Sequence, residues 1–151
     1  MLSCFDIANF FIKIGNQTDY LVTNLKLQKL VYYAQAWYLA LYNKALFNED
    51  FEAWIHGPVI PELYQKYKSF SWHPNKVNVD FQLPLEIMEF LEEICQEYLA
   101  YDGYELEQMT HQEKPWQQAR KNLQLDEASN NIIKKEWMQE YYHFYVKETE
   151  S

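Results

Sequence analysis

The residue types that could do chemistry in this sequence are four histidines, two cysteines and many carboxylates, the usual acids, bases and nucleophiles of enzymes. His56 and His111, together with Glu113, match the composition of a two-histidine, one-carboxylate metal site. They would meet only if distant segments converged, because no H-E-x-x-H or equivalent spacing places them on one helix. The sequence therefore predicts no catalytic residue, metal or cofactor, and a hydrolase or metal enzyme using these three residues is kept as an alternative.

Other residues with chemical potential fit structural roles better. Cys4 and Cys95 form no C-x-x-C pair, and a free cysteine is among the residue types most often buried. The Gly57-Pro58 pair predicts a turn, since proline lacks the N–H donor that a phosphate-binding loop needs. Arg120 is the single arginine, whereas most proteins that read phosphates or bases by bidentate contacts use several.

The composition predicts one compact domain. The chain has 151 residues, of which 48% are apolar and 18% aromatic, enough to bury a core. Its 22 acidic residues exceed its 13 basic ones, giving a net charge of −9, so binding to nucleic acid is not expected. The most apolar run, residues 30–42, is well short of the roughly 20 residues of a membrane span. The N-terminus lacks the positive charge of a signal peptide, so we expect a cytoplasmic protein without a membrane partner.

The acidic residues are unevenly distributed. Residues 77–113 carry 10 Asp and Glu side chains and neither Lys nor Arg. Within this segment, spacings of three and four place four carboxylates in one helical row, formed by Glu86, Glu89, Glu93 and Glu97. Such a row is either a solvated face that maintains solubility or a surface that attracts a basic partner.

Hydrophobic periodicity predicts a mainly α-helical fold of about six to seven helices. The first helix runs from Phe5 to a stop at Gly15, and Thr23 is a suitable N-cap for the second. The second helix has an apolar side and additional aromatic residues around it, which indicates a central position. The apolar side is formed by Leu27, Leu30, Val31, Ala34, Tyr38 and Leu41.

Between the second helix and the rest of the chain, residues 45–56 predict a short two-stranded β element, with 45–47 paired to the alternating run 51–56. Pro61 begins a third helix, residues 71–83 form a loop, and Pro84 opens a fourth helix. The core stripe of the fourth helix consists of Ile87, Phe90, Leu91, Ile94, Tyr98 and Tyr101.

Two short helices are predicted to meet near His111, where Thr110 and Glu113 also match the spacing of a capping box. The last helix is predicted over residues 134–147. Its inward side is expected to carry Trp137, Tyr141, Phe144 and Tyr145.

Three sequence blocks carry a family resemblance: LVTNLKLQKLVYYAQAWYLA (21–40), FEAWIHGPVIPELYQKYK (51–68) and LEQMTHQEKPWQQAR (106–120). Their K-L-Q-K-L-x-Y-Y-A-Q-A-W, A-W-x-x-G-P-V and L-x-x-x-T-H-x-E-x-P-W patterns occur in the order of the Panacea antitoxin domain family. The chain resembles this family, which includes phage-associated GepA-like proteins and SocA-like antitoxins. One departure is Asp102-Gly103-Tyr104, which stands where family members often carry a serine-type helix cap.

The resemblance implies that residues 1–151 form a single antitoxin domain, which is not an enzyme. Such a domain neutralises a toxin encoded beside it by direct binding, and the toxin type varies widely among relatives. An alternative, also implied by the SocA-like members, is a proteolytic adaptor that delivers the toxin to a cytoplasmic AAA+ protease.

Candidate contacts to a toxin come from residues expected outside the core. Lys26, Lys29 and Tyr33 fall on other sides of the second helix than its leucines, and lysine approaches a core only by extending its charged end to solvent. Trp54 lies on the strand face opposite Ala53, where it is either an exposed anchor or buried beneath the third helix. The remaining candidates are His56, His111, Trp116 and the acidic row of Glu86, Glu89, Glu93 and Glu97.

Overall fold

The computed structural model of the chain describes residues 2–68 and 82–150, with side chains as far as residue 146. Within these ranges it contains seven α-helices and three short strands, which confirms the mainly α-helical prediction. Of the predicted loop over residues 71–83, residues 71–81 lie outside the described residues. The elements in chain order are α1 (Cys4–Gln17), α2 (Asn24–Tyr42), β1 (Phe51–Trp54), β2 (Gly57–Val59), α3 (Pro61–Lys66), α4 (Leu85–Tyr98), α5 (Gly103–His111), α6 (Lys114–Ala119), β3 (Ile132–Ile133) and α7 (Lys135–Glu150).

Helix α2 is the centre of the fold, as predicted. The Thr23 side chain caps its start by accepting a hydrogen bond from the Lys26 N–H over 3.3 Å. The helix ends at Asn43, which adopts a left-handed backbone conformation with φ 57°. Helices α1, α3, α4, α5 and α7 and strand β2 all pack against α2. Because neighbours surround it, α2 has no broad solvent face, and polar side chains in its middle are buried as well.

The β element differs from the prediction. Strand β1 lies between β2 and β3 in an antiparallel sheet of order β2-β1-β3, with Ala53 opposite Pro58 and Phe51 opposite Ile133. The predicted pairing of residues 45–47 with β1 is wrong, because a side chain of α2 bonds the backbone of this segment in place of a partner strand. The Gln35 amide accepts from the Leu46 N–H and donates to the Phe47 carbonyl, each over 2.8 Å.

The end of α1 and the position of a capping box differ from the prediction. Helix α1 continues through Gly15, where a Cβ would lie 2.6 Å from Cγ2 of Val22, so this glycine permits close approach and does not stop the helix. Helix α5 begins with a complete capping box, since Asp102 caps the Glu105 N–H and the Glu105 carboxylate accepts from the Asp102 N–H. The predicted box at Thr110 is absent, because the Thr110 hydroxyl donates to the Glu107 carbonyl.

The apolar faces of α4 and α7 are narrower than predicted. Helix α4 buries Phe90, Leu91, Ile94 and Tyr98, whereas Tyr101 follows the helix end and is exposed. Helix α7 buries Met138 and Tyr142, four residues apart on the side that faces α2. Trp137 and Tyr141 are half-buried, and the prediction that Phe144 and Tyr145 point inward is wrong, because they lie off that face and are exposed.

Candidate functional site

The three sequence blocks come together around α2, where buried polar side chains hold distant segments. Gln28 accepts a hydrogen bond from the Ile60 N–H over 3.1 Å and donates to Asn24 over 3.1 Å. Asn24 in turn donates to the Tyr64 carbonyl, so α2 supplies partners for the backbone at the β2–α3 junction and in α3. Buried polar groups need such partners, and these contacts position strand β2 beside the helix. The prediction of a turn at Gly57-Pro58 is wrong, because these two residues pair with Trp54 and Ala53 in the sheet and the turn lies at residues 55–56.

Lys29 is fully buried beneath the start of strand β2. Its ammonium nitrogen Nζ donates to the Pro58 carbonyl over 3.1 Å. Burial lowers the pKa of Lys29 from 10.5 to about 7, against the opposing effect of the Glu107 charge. Gly57 has φ +99°, and a Cβ at this position would lie 2.7 Å from Cε of Lys29. The lysine and the glycine therefore fit each other closely.

Lys26, three residues before Lys29 on α2, is also buried. Its Nζ donates to the Leu99 carbonyl, at the C-terminal end of α4, where a cation is favourable. Burial lowers the pKa of Lys26, while the charge of Asp102 opposes this shift. The prediction that Lys26, Lys29 and Tyr33 lie away from the core is wrong, since all three are at most 3% exposed. Helices on every side of α2 leave no solvent for the amines, and distant carbonyls satisfy them instead.

Tyr33 belongs to a buried cluster around Glu113. The hydroxyls of Tyr33 and Tyr142 both donate to Oε1 of Glu113, over 3.0 Å and 2.5 Å. The Tyr33 ring also stacks on Tyr98, with ring centroids 4.1 Å apart. Burial raises the pKa of Glu113 from 4.5 to about 7, although the two hydroxyl donors lower it. Glu113, the half-buried residue before α6, thus connects the start of α6 to α2 and α7.

Trp116 and Arg120 join α6 to the sheet. Trp116 is 2% exposed and donates from Nε1 to the Trp54 carbonyl over 2.8 Å, so it is not a surface anchor. Arg120 donates to the Ala53 carbonyl over 2.9 Å and to backbone carbonyls of the following loop, and its guanidinium lies over the Trp116 ring. The single arginine of the chain therefore has a structural role.

The three residues of the alternative hydrolase or metal site, His56, His111 and Glu113, each contact different partners. His56 is exposed, with Nδ1 3.1 Å from Oε1 of Glu107, whereas the His111 ring stacks on Trp116 at 4.1 Å. Burial lowers the pKa of His111, and Glu113 accepts from tyrosine hydroxyls. In the described part of the chain, no three His, Cys, Asp or Glu side chains are placed to hold one metal ion.

Both cysteines are free, and burial raises the thiol pKa of each to about 12. At neutral pH they are therefore protonated, and thiols in that state are poor nucleophiles.

The exposed candidates lie elsewhere. Glu86, Glu89, Glu93 and Glu97 are all exposed on α4. Trp54 is half-buried, its ring packed against Tyr64 and its Nε1 donating to Glu52 over 2.9 Å. Contact of these residues with a partner stays a prediction. Sequence reasoning missed a groove beside the acidic row, because Leu41 of α2 and Val146 of α7 line it together with α4.

Comparison with known proteins identifies the family. The sequence matches the family described as "Antitoxin SocA-like, Panacea domain" over residues 27–117, more than half of the chain. The chain belongs to this family, as its sequence blocks indicate.

A curated relative is Antitoxin SocA from Caulobacter vibrioides (strain NA1000 / CB15N), which is 36% identical over 63 residues. The aligned region is 42% of this chain and 34% of the relative, so the chain spans about a third of the length of that protein. No solved structure matches the chain. None of the helices in residues 2–68 and 82–150 combines the length and apolarity needed to cross a bilayer.

Proposed function

We propose that this chain is an antitoxin that neutralises a toxin encoded beside it by binding the toxin directly. The observation that carries the proposal is membership of the SocA-like Panacea family over residues 27–117. The similarity to Antitoxin SocA supports the same role. The role is one of binding and not of catalysis.

The placement of the family blocks supports a division of labour within the domain. Lys29, Gln28 and Trp116 come from these blocks and are buried, so they stabilise the fold and are not free to contact a toxin. Recognition then falls to exposed residues, among them the acidic row of α4. A common scaffold with a separate recognition surface suits a family whose toxins differ.

The cellular setting is part of the proposal. Two free cysteines with protonated thiols suit the reducing cytoplasm, where we place this protein. We expect its gene beside that of a toxin, in a bacterial genome or in a phage-derived region of one.

Co-expression tests neutralisation. The protein encoded by the neighbouring small open reading frame is induced in cells with and without this chain. We expect growth arrest when the neighbour is expressed alone and normal growth when both are expressed. Equal arrest in the two cultures would refute the antitoxin role.

Toxin turnover separates direct binding from delivery to a protease. After protein synthesis is stopped, the amount of toxin is followed by immunoblot in the presence and absence of this chain. Direct neutralisation predicts an unchanged or longer toxin half-life. A shorter half-life that depends on a cytoplasmic AAA+ protease would assign the adaptor role instead.

A further inference from the structure

An apolar groove lies between α2, α4 and α7. Helices α4 and α7 both pack against α2, but in the described part of the chain they make little contact with each other. The space between them is a groove of about 400 Å³. Its lining comes from all three helices and consists of Trp37, Leu41, Phe90, Glu93, Ile94, Glu97, Tyr98 and Val146.

Part of this lining is exposed apolar surface. Leu41 is 43% exposed, and its neighbour Tyr42 is 51% exposed while its ring packs against Phe90. A partner that covers these side chains removes their apolar surface from water, which is favourable for binding. The groove and the last turn of α2 therefore form one surface that favours an apolar occupant.

The other edge of the groove is acidic. Glu93 and Glu97 line it directly, and Glu86 and Glu89 continue the same exposed row along α4. From Glu86 to Glu97 the row rises about 16 Å along the helix axis, or about three helical turns. No described lining residue is a lysine, an arginine or a histidine. The four like charges repel one another, and a cationic partner would relieve that repulsion.

Charge complementarity determines which occupant fits. A second copy of this chain would bring another acidic row and a net charge of −9, which opposes association at this surface. A helix with apolar residues on one side and Lys or Arg along one edge would match both the apolar lining and the acidic rim. Such a helix in a groove is a recurring mode of peptide recognition.

We propose that the groove between α2, α4 and α7 is the toxin-docking site, and that it takes a basic amphipathic helix of the toxin. This inference rests on the proposed antitoxin function and adds its recognition surface. The glutamates attract and orient the basic edge of the incoming helix, and Leu41 and Val146 bury its apolar side.

The first test compares two charge-reversal variants with the protein encoded by the neighbouring gene. Glu93→Lys/Glu97→Lys changes the groove, and Asp126→Lys/Glu140→Lys changes the net charge equally at exposed positions outside its lining. We expect the groove variant to associate with the toxin about tenfold more slowly and to lose neutralisation. The control variant should neutralise as the wild type does. Circular dichroism and melting temperature check that both variants remain folded.

The outcomes separate the two proposals. Neutralisation by the wild type and equally by both variants, with unchanged association rates, would overturn the docking site and leave the antitoxin role intact. A wild-type chain that fails to neutralise the neighbouring protein would refute the antitoxin role, and the groove would then be judged by the second test.

The second test uses a synthetic helical peptide of leucine and lysine as the probe, with its lysines replaced by glutamate in a control peptide. We expect the lysine peptide to shift the amide resonances of Leu41, Glu93 and Ile94 in two-dimensional NMR spectra, and the glutamate peptide to leave them unchanged. No shift with either peptide, or equal shifts with both, would contradict the inference. A wild-type dimer in light scattering that Leu41→Glu dissociates would make the groove a self-interface and would also overturn it.

Discussion

Replacing Glu113 with glutamine isolates the effect of one buried charge. The carboxyl group accepts hydrogen bonds from Tyr33 and Tyr142 through Oε1, and glutamine retains an oxygen acceptor of nearly the same shape. The substitution removes the charge without opening a cavity. The pH dependence of the difference in stability between the wild type and Glu113→Gln therefore reports the titration of this group.

The raised pKa of Glu113 determines the sign of the effect. Burial raises this pKa from 4.5 to about 7, so between these values the folded state binds more protons than the unfolded chain. The contribution of Glu113 to the free energy of unfolding should therefore fall as pH rises from 4.5 to about 7. At about 1.4 kcal/mol for each pKa unit, the cost of the ionised group above pH 7 is about 3 kcal/mol.

Urea unfolding of both proteins measures this cost. Between about pH 5 and about pH 8, the stability of Glu113→Gln relative to the wild type should increase by about 2.5 kcal/mol, since the shift is not complete at the lower pH. Glu140→Gln, an exposed change on α7, is the control and should show no such trend. An equal difference in free energy between wild type and Glu113→Gln at both pH values would refute the reasoning.

Three further predictions concern the buried lysine, the glycine packed against it and the acidic row. Burial lowers the pKa of Lys29 to about 7, so the wild type should gain stability relative to Lys29→Met as pH rises from about 7 towards 10.5. If the free energies of unfolding of the two proteins in urea change in parallel over this pH range, the prediction is wrong. Gly57→Ala should destabilise the protein by about 2 kcal/mol, because φ is +99° and the new Cβ would meet the Lys29 side chain. An unchanged melting temperature would argue against this close fit. Changing all four glutamates of the row to glutamine should leave the fold intact and slow toxin association at low salt, with the difference shrinking towards roughly 0.5 M salt. The four residues are Glu86, Glu89, Glu93 and Glu97. If this variant associates with the toxin as fast as the wild type at low salt, the row serves solubility and not recognition.

The positions of the helices follow from local sequence. Apolar residues at helical spacing predict α2 and α4, and the Thr23 cap and the Pro61 start both occur where the sequence places them. These features depend on neighbours within one or two turns, which is why periodicity and capping rules detect them. The exposed acidic row is predictable for the same reason, since its spacing relative to the apolar stripe is a property of a single helix.

Contacts between distant segments explain the wrong predictions. Lys26 and Lys29 are buried because Leu99 and Pro58 supply carbonyls, and these partners lie 73 and 29 residues away along the chain. Residues 45–47 form no strand, because Gln35 satisfies their backbone from a helix. A polar side chain in an apolar helix has the same sequence pattern whether it faces solvent or a buried carbonyl.

The sequence by itself therefore determined the helical elements, the acidic charge and the family blocks. Only the tertiary structure decided which polar residues of those blocks lie in the core, and that α2, α4 and α7 enclose a groove beside the acidic row. The physical reason is that helix formation depends on residues close in sequence, whereas burial and surface shape depend on which helices pack together. In this protein the packing around α2 buries polar side chains of the family blocks and leaves the carboxylates of α4 at the surface.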